Sequence, residues 1–187
     1  MKYFKKLCGE RIYLSPMNID DAEKYIEWFC NFKTANGMEQ SGKIANVEWE
    51  REWIQNAIKN NEAQFAIVKL ENDELLGNCG FSEINHQNRI GTVGLFIGEE
   101  ENRNKGYGTE TLQLLLDFGF NYLNLNNIML KVKSFNERAI ACYKKVGFKE
   151  IGRRRNSYYL NGKYYDDVYM DFLASEFTGS YIKDKNI

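Results

Sequence analysis

An apolar stretch from Ile90 to Ile97 runs through Gly98 into the loop Arg103-Asn-Lys-Gly-Tyr-Gly108. A helical pattern with Leu112, Leu115, Leu116 and Gly119 on one face starts at once, and a second apolar stretch follows at Ile128 to Val132. Strand, helix and strand in that order call for a right-handed crossover, so the two strands are parallel. Gly106 and Gly108 carry no Cβ, which lets the backbone take positive φ and turn its amides toward a ligand. The start of the following helix adds unpaired N–H groups and the positive end of a dipole, so the expected ligand presents phosphate oxygens. The loop lacks the third glycine of a dinucleotide fingerprint and has no Gly-Lys-Ser/Thr of an NTPase loop. A glycine pair before a helix can also serve only to turn the chain, so the loop is read together with what lies downstream.

Downstream lies Asn136-Glu-Arg-Ala-Ile-Ala-Cys-Tyr143, followed by Gly147-Phe148. Arg103-x-x-Gly106-x-Gly108, a helix, a strand and then this segment resemble the GNAT superfamily of acetyl-CoA-dependent N-acetyltransferases, over residues 10 to 172. Within it the chain looks most like the branch of ribosomal-protein N-terminal acetyltransferases and spermidine acetyltransferases. Glu83-Ile-Asn-His86 and the turn Tyr159-Leu-Asn-Gly-Lys163 are similar to the spermidine enzymes in particular. The resemblance implies an α/β (α+β) fold, with a mixed, mostly antiparallel twisted sheet of about seven strands, a splayed parallel pair and about four flanking helices. It also implies acetyl-CoA as co-substrate and no metal.

The remaining sequence reads as one domain, residues 1–175, with a peripheral tail at 176–187. At 187 residues and 43% hydrophobic content the chain can bury a core of its own. A net charge of −1 excludes the basic excess that a general nucleic-acid or anionic-membrane surface needs. Cys8, Cys30, Cys79 and Cys142 are scattered, which signals neither a zinc site nor a disulfide framework. With no apolar run long enough to span a membrane, the expectation is a soluble cytoplasmic protein.

Arg11 to Leu14 reads as the first strand, and Asn18 as an N-cap for a helix carrying Ala22, Tyr25, Ile26 and Phe29. Asn31 to Lys43 has no clear period and is expected to be a loop or broken helix. A helix follows with Trp49, Trp53, Ile54, Ala57 and Ile58; in the resembled family this region shapes the acceptor pocket. Gln64 to Leu70 and Leu75 to Ile84 are expected strands, Asn136 an N-cap and Gly147 a helix-ending glycine. Asn161-Gly162 predicts a tight hairpin between Phe148–Leu160 and Lys163–Phe172. Arg153-Arg-Arg155 alternates across a strand as a solvated or inter-subunit face, which leaves a homo-oligomer open.

Acetyl transfer to an amine needs a neutral nucleophile, a held oxyanion and a proton for the departing thiolate. A free alkylamine, with a pKa of about 10.4, must lose a proton first. Tyr143 is the candidate acid: it lies two helical turns after Asn136 and, with a pKa of about 10, stays protonated at neutral pH. The resembled family commonly gives its tyrosine that role. Candidate cofactor-binding residues are Phe96, Ile97 and Gly98 on the splayed strand, Arg103, Asn104, Lys105, Gly106, Tyr107, Gly108 and Thr109 in the loop and helix start, and Asn136, Ala139 and Tyr143 on the later helix. Several relatives carry a glutamate on the strand at Thr92 to Ile97; this chain has none. Glu83 and His86 are the candidate bases, with water as the alternative; Glu83 could instead hold a cationic substrate. Glu39, Glu48 and Glu50 are acids on the presumed acceptor side. The acceptor is a polyamine, a small amine or a peptide N-terminus, and the alternative is a module that binds or senses acetyl-CoA without turning it over.

Overall fold

The computed structural model describes residues 2–60 and 62–183. β1 (Leu7–Cys8) and β2 (Ile12–Pro16) pair antiparallel; β1 has two residues, too few to show an alternation in the sequence. The Asn18 side chain accepts from the Asp20 N–H at 2.9 Å, opening a 3-10 turn that leads into α1 (Ala22–Cys30). The segment without a period contains α2 (Phe32–Ala35), one turn capped by Asn31, and a 3-10 turn. α3 (Val47–Lys59) begins where Asn46 accepts from the Trp49 N–H.

Then comes an antiparallel meander of β3 (Gln64–Lys69), β4 (Leu75–Asn85) and β5 (Ile90–Ile97). α4 (Tyr107–Asn121) crosses over to β6 (Asn127–Lys133), and α5 (Glu137–Val146) precedes the hairpin of β7 (Lys149–Leu160) and β8 (Lys163–Leu173). Asn161 and Gly162 have φ of +49° and +79°, the pair of left-handed residues that a two-residue type I′ turn demands. The sheet has eight strands in the order β1-β2-β3-β4-β5-β6-β8-β7. That is one strand more than the sequence suggests, because of β1, and α2 similarly brings the helices to five.

Among the described residues β5 and β6 form the one parallel pair, and it is short: Ile90, Gly91 and Thr92 face Asn127, Ile128 and Met129. Beyond Thr92 the strands part, and β5 continues paired only to β4. Two features draw the end of β5 toward α1. The Phe96 ring packs against Tyr25, Trp28 and Phe29, with centroids 5.7–6.1 Å apart. Gly98 lies so close under the Trp28 indole that a Cβ there would sit 2.1 Å from it.

α4 buries Leu112, Leu114, Leu115, Leu116 and Phe120 against the sheet residues Phe81, Ile128 and Leu130, and each buried leucine contributes about 2 kcal/mol. A smaller cluster joins α1 and α3 through Met17, Tyr25, Trp28 and Ile54. The segment after β8, expected at the periphery, is tied down as far as Lys183: Phe177 packs on Phe120 and Phe172, and the Tyr181 and Ile182 N–H groups donate to the buried Asp117 at 2.6 and 2.9 Å. Residues 184–187 of that tail lie outside the described residues.

The Glu110 carboxylate, in the first turn of α4, fastens the N-terminal turn to the domain. Its Oε1 accepts from the N–H groups of Glu10, Arg11 and Ile12 at 2.7, 2.8 and 3.3 Å, and its Oε2 from Arg11 Nε at 3.2 Å. Glu110→Ala should orphan these donors and lower unfolding stability by about 2–4 kcal/mol. Urea denaturation measures it, and a loss below about 1 kcal/mol would show that water replaces the carboxylate.

Candidate active site

The parting of β5 from β6 opens a cleft of about 970 Å³. Its floor is Val93 to Ile97, whose alternate backbone groups on the β6 side lack a ladder partner. One wall is the start of α4 with α5; the other is the region of α1 to α3, represented by Phe29, Trp49, Glu50 and Trp53.

Gly106 stands at the N-cap of α4 with φ of +86°, and no side chain caps the first turn. The amides of Tyr107, Gly108 and Thr109 therefore start the helix without intrahelical partners, at the positive end of its dipole. A Cβ on Gly108 would meet only Leu95 Cδ1, at 3.6 Å, so the backbone there is open to a ligand. Asn104, also left-handed at φ of +61°, shapes the same turn.

Arg103 lines the cleft, but its donors are committed to protein. Nε donates to Ile97 O at 3.1 Å, and Nη2 to Gly98 O at 2.8 Å and Thr34 Oγ1 at 2.6 Å. The residue acts as a clamp on the end of β5. Arg138, which the sequence reading passed over, also lines the cleft and lies close enough to lower the Arg103 pKa beyond the effect of burial. Its signal was its place in the first turn of the helix that Asn136 caps; the Asn136 side chain accepts from the Ala139 N–H at 3.3 Å.

Tyr143 and Ala139 line the cleft from α5. Burial pushes the Tyr143 phenol up to about 12, with Cys142 adding to the shift and Arg138 opposing it, so the hydroxyl holds its proton throughout the neutral range. Cys142 contacts Thr109 Oγ1 at 3.3 Å. The chain's one histidine, His86, is exposed in the β4–β5 turn.

Of the residues expected from sequence, Phe96, Ile97, Arg103, Asn104, Gly106, Tyr107, Gly108, Thr109, Asn136, Ala139 and Tyr143 line the cleft together. Gly98, Lys105 and Glu83 are not among the lining residues. The Gly98 backbone is used up, its N–H by Leu76 O at 2.8 Å and its carbonyl by Arg103 and Thr34. The Lys105 carbonyl accepts from Arg11 Nη1 at 2.8 Å. Glu83 is exposed toward the far end of β4, left-handed at φ of +52°, and accepts from Thr92 Oγ1 at 3.5 Å.

The acids of the acceptor side divide in the same way. Glu48 is exposed and paired with Arg51, and Glu39 pairs with Lys131 and Lys133 at 3.2 and 2.8 Å. Burial opposes the charge on Lys133, but its bonds to Asp167 and Glu39 raise its pKa on balance, so it remains a locked cation. Glu50 is 2% exposed and lines the cleft. All four cysteines are free thiols, and among the described residues no group of acids, cysteines or histidine is arranged to hold a metal and no helix is long and apolar enough to cross a membrane.

The chain is similar in sequence and fold to known proteins. The family described as acetyltransferase (GNAT) domain matches residues 11–149. The uncharacterized N-acetyltransferase p20 of Bacillus licheniformis is 28% identical over 177 residues, covering 92% of this chain and 98% of that protein. The spermidine N(1)-acetyltransferase of Escherichia coli strain K12 is 34% identical over 95 residues, 51% of this chain and 50% of that protein. Among solved structures, the Vibrio cholerae spermidine N-acetyltransferase in complex with CoA and spermine superposes with a TM-score of 0.81 at 24% identity, over 89% of this chain and 97% of that one. Gly106→Ala should weaken coenzyme A binding at least tenfold, because it strains the left-handed N-cap by about 1 kcal/mol and drives a methyl group to 2.9 Å from Arg11 Nη2. Calorimetric titration with coenzyme A tests this, and an unchanged Kd would mean that the turn does not touch the ligand.

Proposed function

Because this chain belongs to the GNAT acetyltransferase family, we propose that it moves the acetyl group of acetyl-CoA directly to a primary amine, with Tyr143 as the acid that protonates the departing thiolate. It is an acyltransferase, and enzymes of this family use acetyl-CoA as donor. The observation that carries the reading is the open edge of β5 beside the uncapped start of α4. Oriented amides at such an edge can pair with the pantetheine arm and hold a developing oxyanion, each being worth about 3 kcal/mol of barrier. Tyr107, Gly108 and Thr109 offer their N–H groups to the diphosphate, with Arg138 as the nearby cation. Arg103 serves by holding the end of β5 in place.

In the transfer step the neutral amine adds to the thioester carbon, the carbon–sulfur bond breaks, and the thiolate takes the Tyr143 proton. The amine loses its own proton to solvent or to a carboxylate, which restores the balance. Direct transfer is favoured over an acetyl-cysteine route because Cys142 contacts a threonine and His86 lies in a distant turn. The acceptor in this reading is a cationic amine, with polyamines ahead of peptide N-termini and uncharged small amines. The spermidine acetyltransferases among the relatives support that order, as does Glu50 in the cleft.

A thiol-release assay over a panel of amines tests the activity. Tyr143→Phe should lower kcat about 100-fold or more while the KM for acetyl-CoA changes less than about threefold. An unchanged kcat at saturating amine would remove Tyr143 from the chemistry. Cys142→Ala should retain turnover, and isolation of an acetylated Cys142 would replace direct transfer with a covalent route.

A further inference from the structure

Among the described residues Glu50 is the one buried charged side chain of the cleft that the fold leaves without a partner. It lies in the first turn of α3, 2% exposed, and its Oε1 is fully buried with no hydrogen-bond donor. No ion pair reaches it among the described residues. The neighbouring Arg51 is occupied by Glu48 and Glu23 on the outer face of the helix, and Lys43 lies over the Trp49 ring at 5.5 Å. The titratable group that interacts with it is Tyr25 from α1, held protonated by burial; beyond Tyr25 lie Cys79 from β4, also held protonated by burial, and Asp21, which is bound by Lys2 and Tyr3. None of these supplies a cation. A carboxylate withdrawn from water without a donor is destabilised in its charged form, and a cation that enters the cleft would relieve it.

The surroundings define that partner. Phe29, Trp49, Trp53 and Phe96 line the same cleft, and an ammonium group beside a carboxylate is also attracted to aromatic faces. Glu50 lies by the aromatic cluster of α1 and α3, whereas Tyr143 packs on the main core from α5, so the carboxylate and the acid of the chemistry occupy different walls. The amine that attacks must be neutral at that moment, so a cation held on the α3 wall is a second nitrogen of the acceptor. We infer that Glu50 anchors a charged, non-reacting ammonium of the acceptor, and that this arm of the cleft selects diamines and longer polyamines over monoamines. This rests on the transferase reading above and adds to it the residue that recognises the substrate.

Burial alone pushes the Glu50 carboxyl up to about 7. The sign follows from linkage: the neutral form is favoured in the folded chain, so native stability declines as pH rises from the unfolded carboxyl value of about 4.3 toward 7. Above that pH the empty site holds an unpaired anion, and a bound ammonium relieves it.

The test compares 1,4-diaminobutane with butylamine as probes on the native protein, Glu50→Gln and Glu50→Asp, at pH 6 and pH 8. At pH 8 the native protein should show a KM for the diamine at least tenfold below that for the monoamine, a preference that shrinks at pH 6. Glu50→Gln should bring the two KM values within about twofold, and Glu50→Asp should restore part of the preference. Without turnover, 1,4-diaminobutane should raise the melting temperature of the coenzyme A-loaded native protein at pH 8 and leave Glu50→Gln unmoved. Glu50→Gln alone should melt above the native protein at pH 8, which shows that the variant folds. A diamine preference or thermal shift that survives in Glu50→Gln overturns the assignment, as does native turnover of both amines with no preference; in either case the transferase reading stands. Absence of thiol release with every amine would overturn the transferase reading instead, and the thermal shift would then decide on Glu50 by itself.

Discussion

Two parallel strands that hold hands for three residues and then separate determine where everything else in this protein can act. Had β5 stayed paired with β6 along its length, its backbone groups would have been consumed by the ladder and the start of α4 would face a closed sheet. The separation is enforced by packing. Phe96 is drawn into the rings of Tyr25, Trp28 and Phe29, Gly98 lets the Trp28 indole lie against the backbone, and Arg103 ties the carbonyls of Ile97 and Gly98. Gly77 completes the arrangement from β4, since a Cβ there would meet the Phe96 carbonyl at 2.0 Å. Aromatic packing on one side of β5 thus produces unpaired amides on the other.

Charge is distributed along the cleft in the order the chemistry needs. The α4–α5 wall carries the helix dipole, the uncapped amides and Arg138, which suit an anionic donor. The α3 wall carries Glu50 among aromatics, which suits a cationic acceptor. Tyr143 stands on the first of these walls with its proton secured by burial, so it is neutral and does not repel an anionic donor. Lys133 illustrates the contrasting use of a buried charge: held by Asp167 and Glu39, it braces β6 against β8 and the α2–α3 loop.

The sequence disclosed those parts of the fold whose signals are local. The glycine loop, the Asn136 cap, the Gly147 stop and the Asn161-Gly162 turn each depend on a few adjacent residues, and each is found in place. β1 and α2 were invisible because two and four residues are shorter than the period that would reveal them. The site residues divide along the same line. Those on the loop and on α5 converge, since spacing along one helix fixes which side chains share a face. The assignment of a base to Glu83 depended on how far a strand end lies from a cleft, a tertiary distance that spacing does not carry. In the folded chain Glu83 accepts from Thr92 Oγ1, where β5 parts from β6, and is not among the residues that line the cleft. Arg103 was recognised as part of the loop, but only the folded chain reveals that its guanidinium faces inward to carbonyls.

The two walls are also mechanically joined. The Trp28 indole N–H donates to Glu99 Oε1 at 2.9 Å, Lys24 pairs with the same carboxylate at 2.7 Å, and Thr34 donates to Gly98 O while accepting from Arg103. Lys33 reaches Glu100 at 3.2 Å. Each of these bonds runs from α1 or α2 to the segment between β5 and α4. The paired surface charges add little individually, about 0–1 kcal/mol, but the buried Thr34–Gly98–Arg103 set fixes geometry where a shift of 1 Å matters to transfer. A cleft made this way does not have to bring two separate sites into register when its ligands arrive, because the same hydrogen bonds that splay the sheet also hold the acceptor wall against the donor loop.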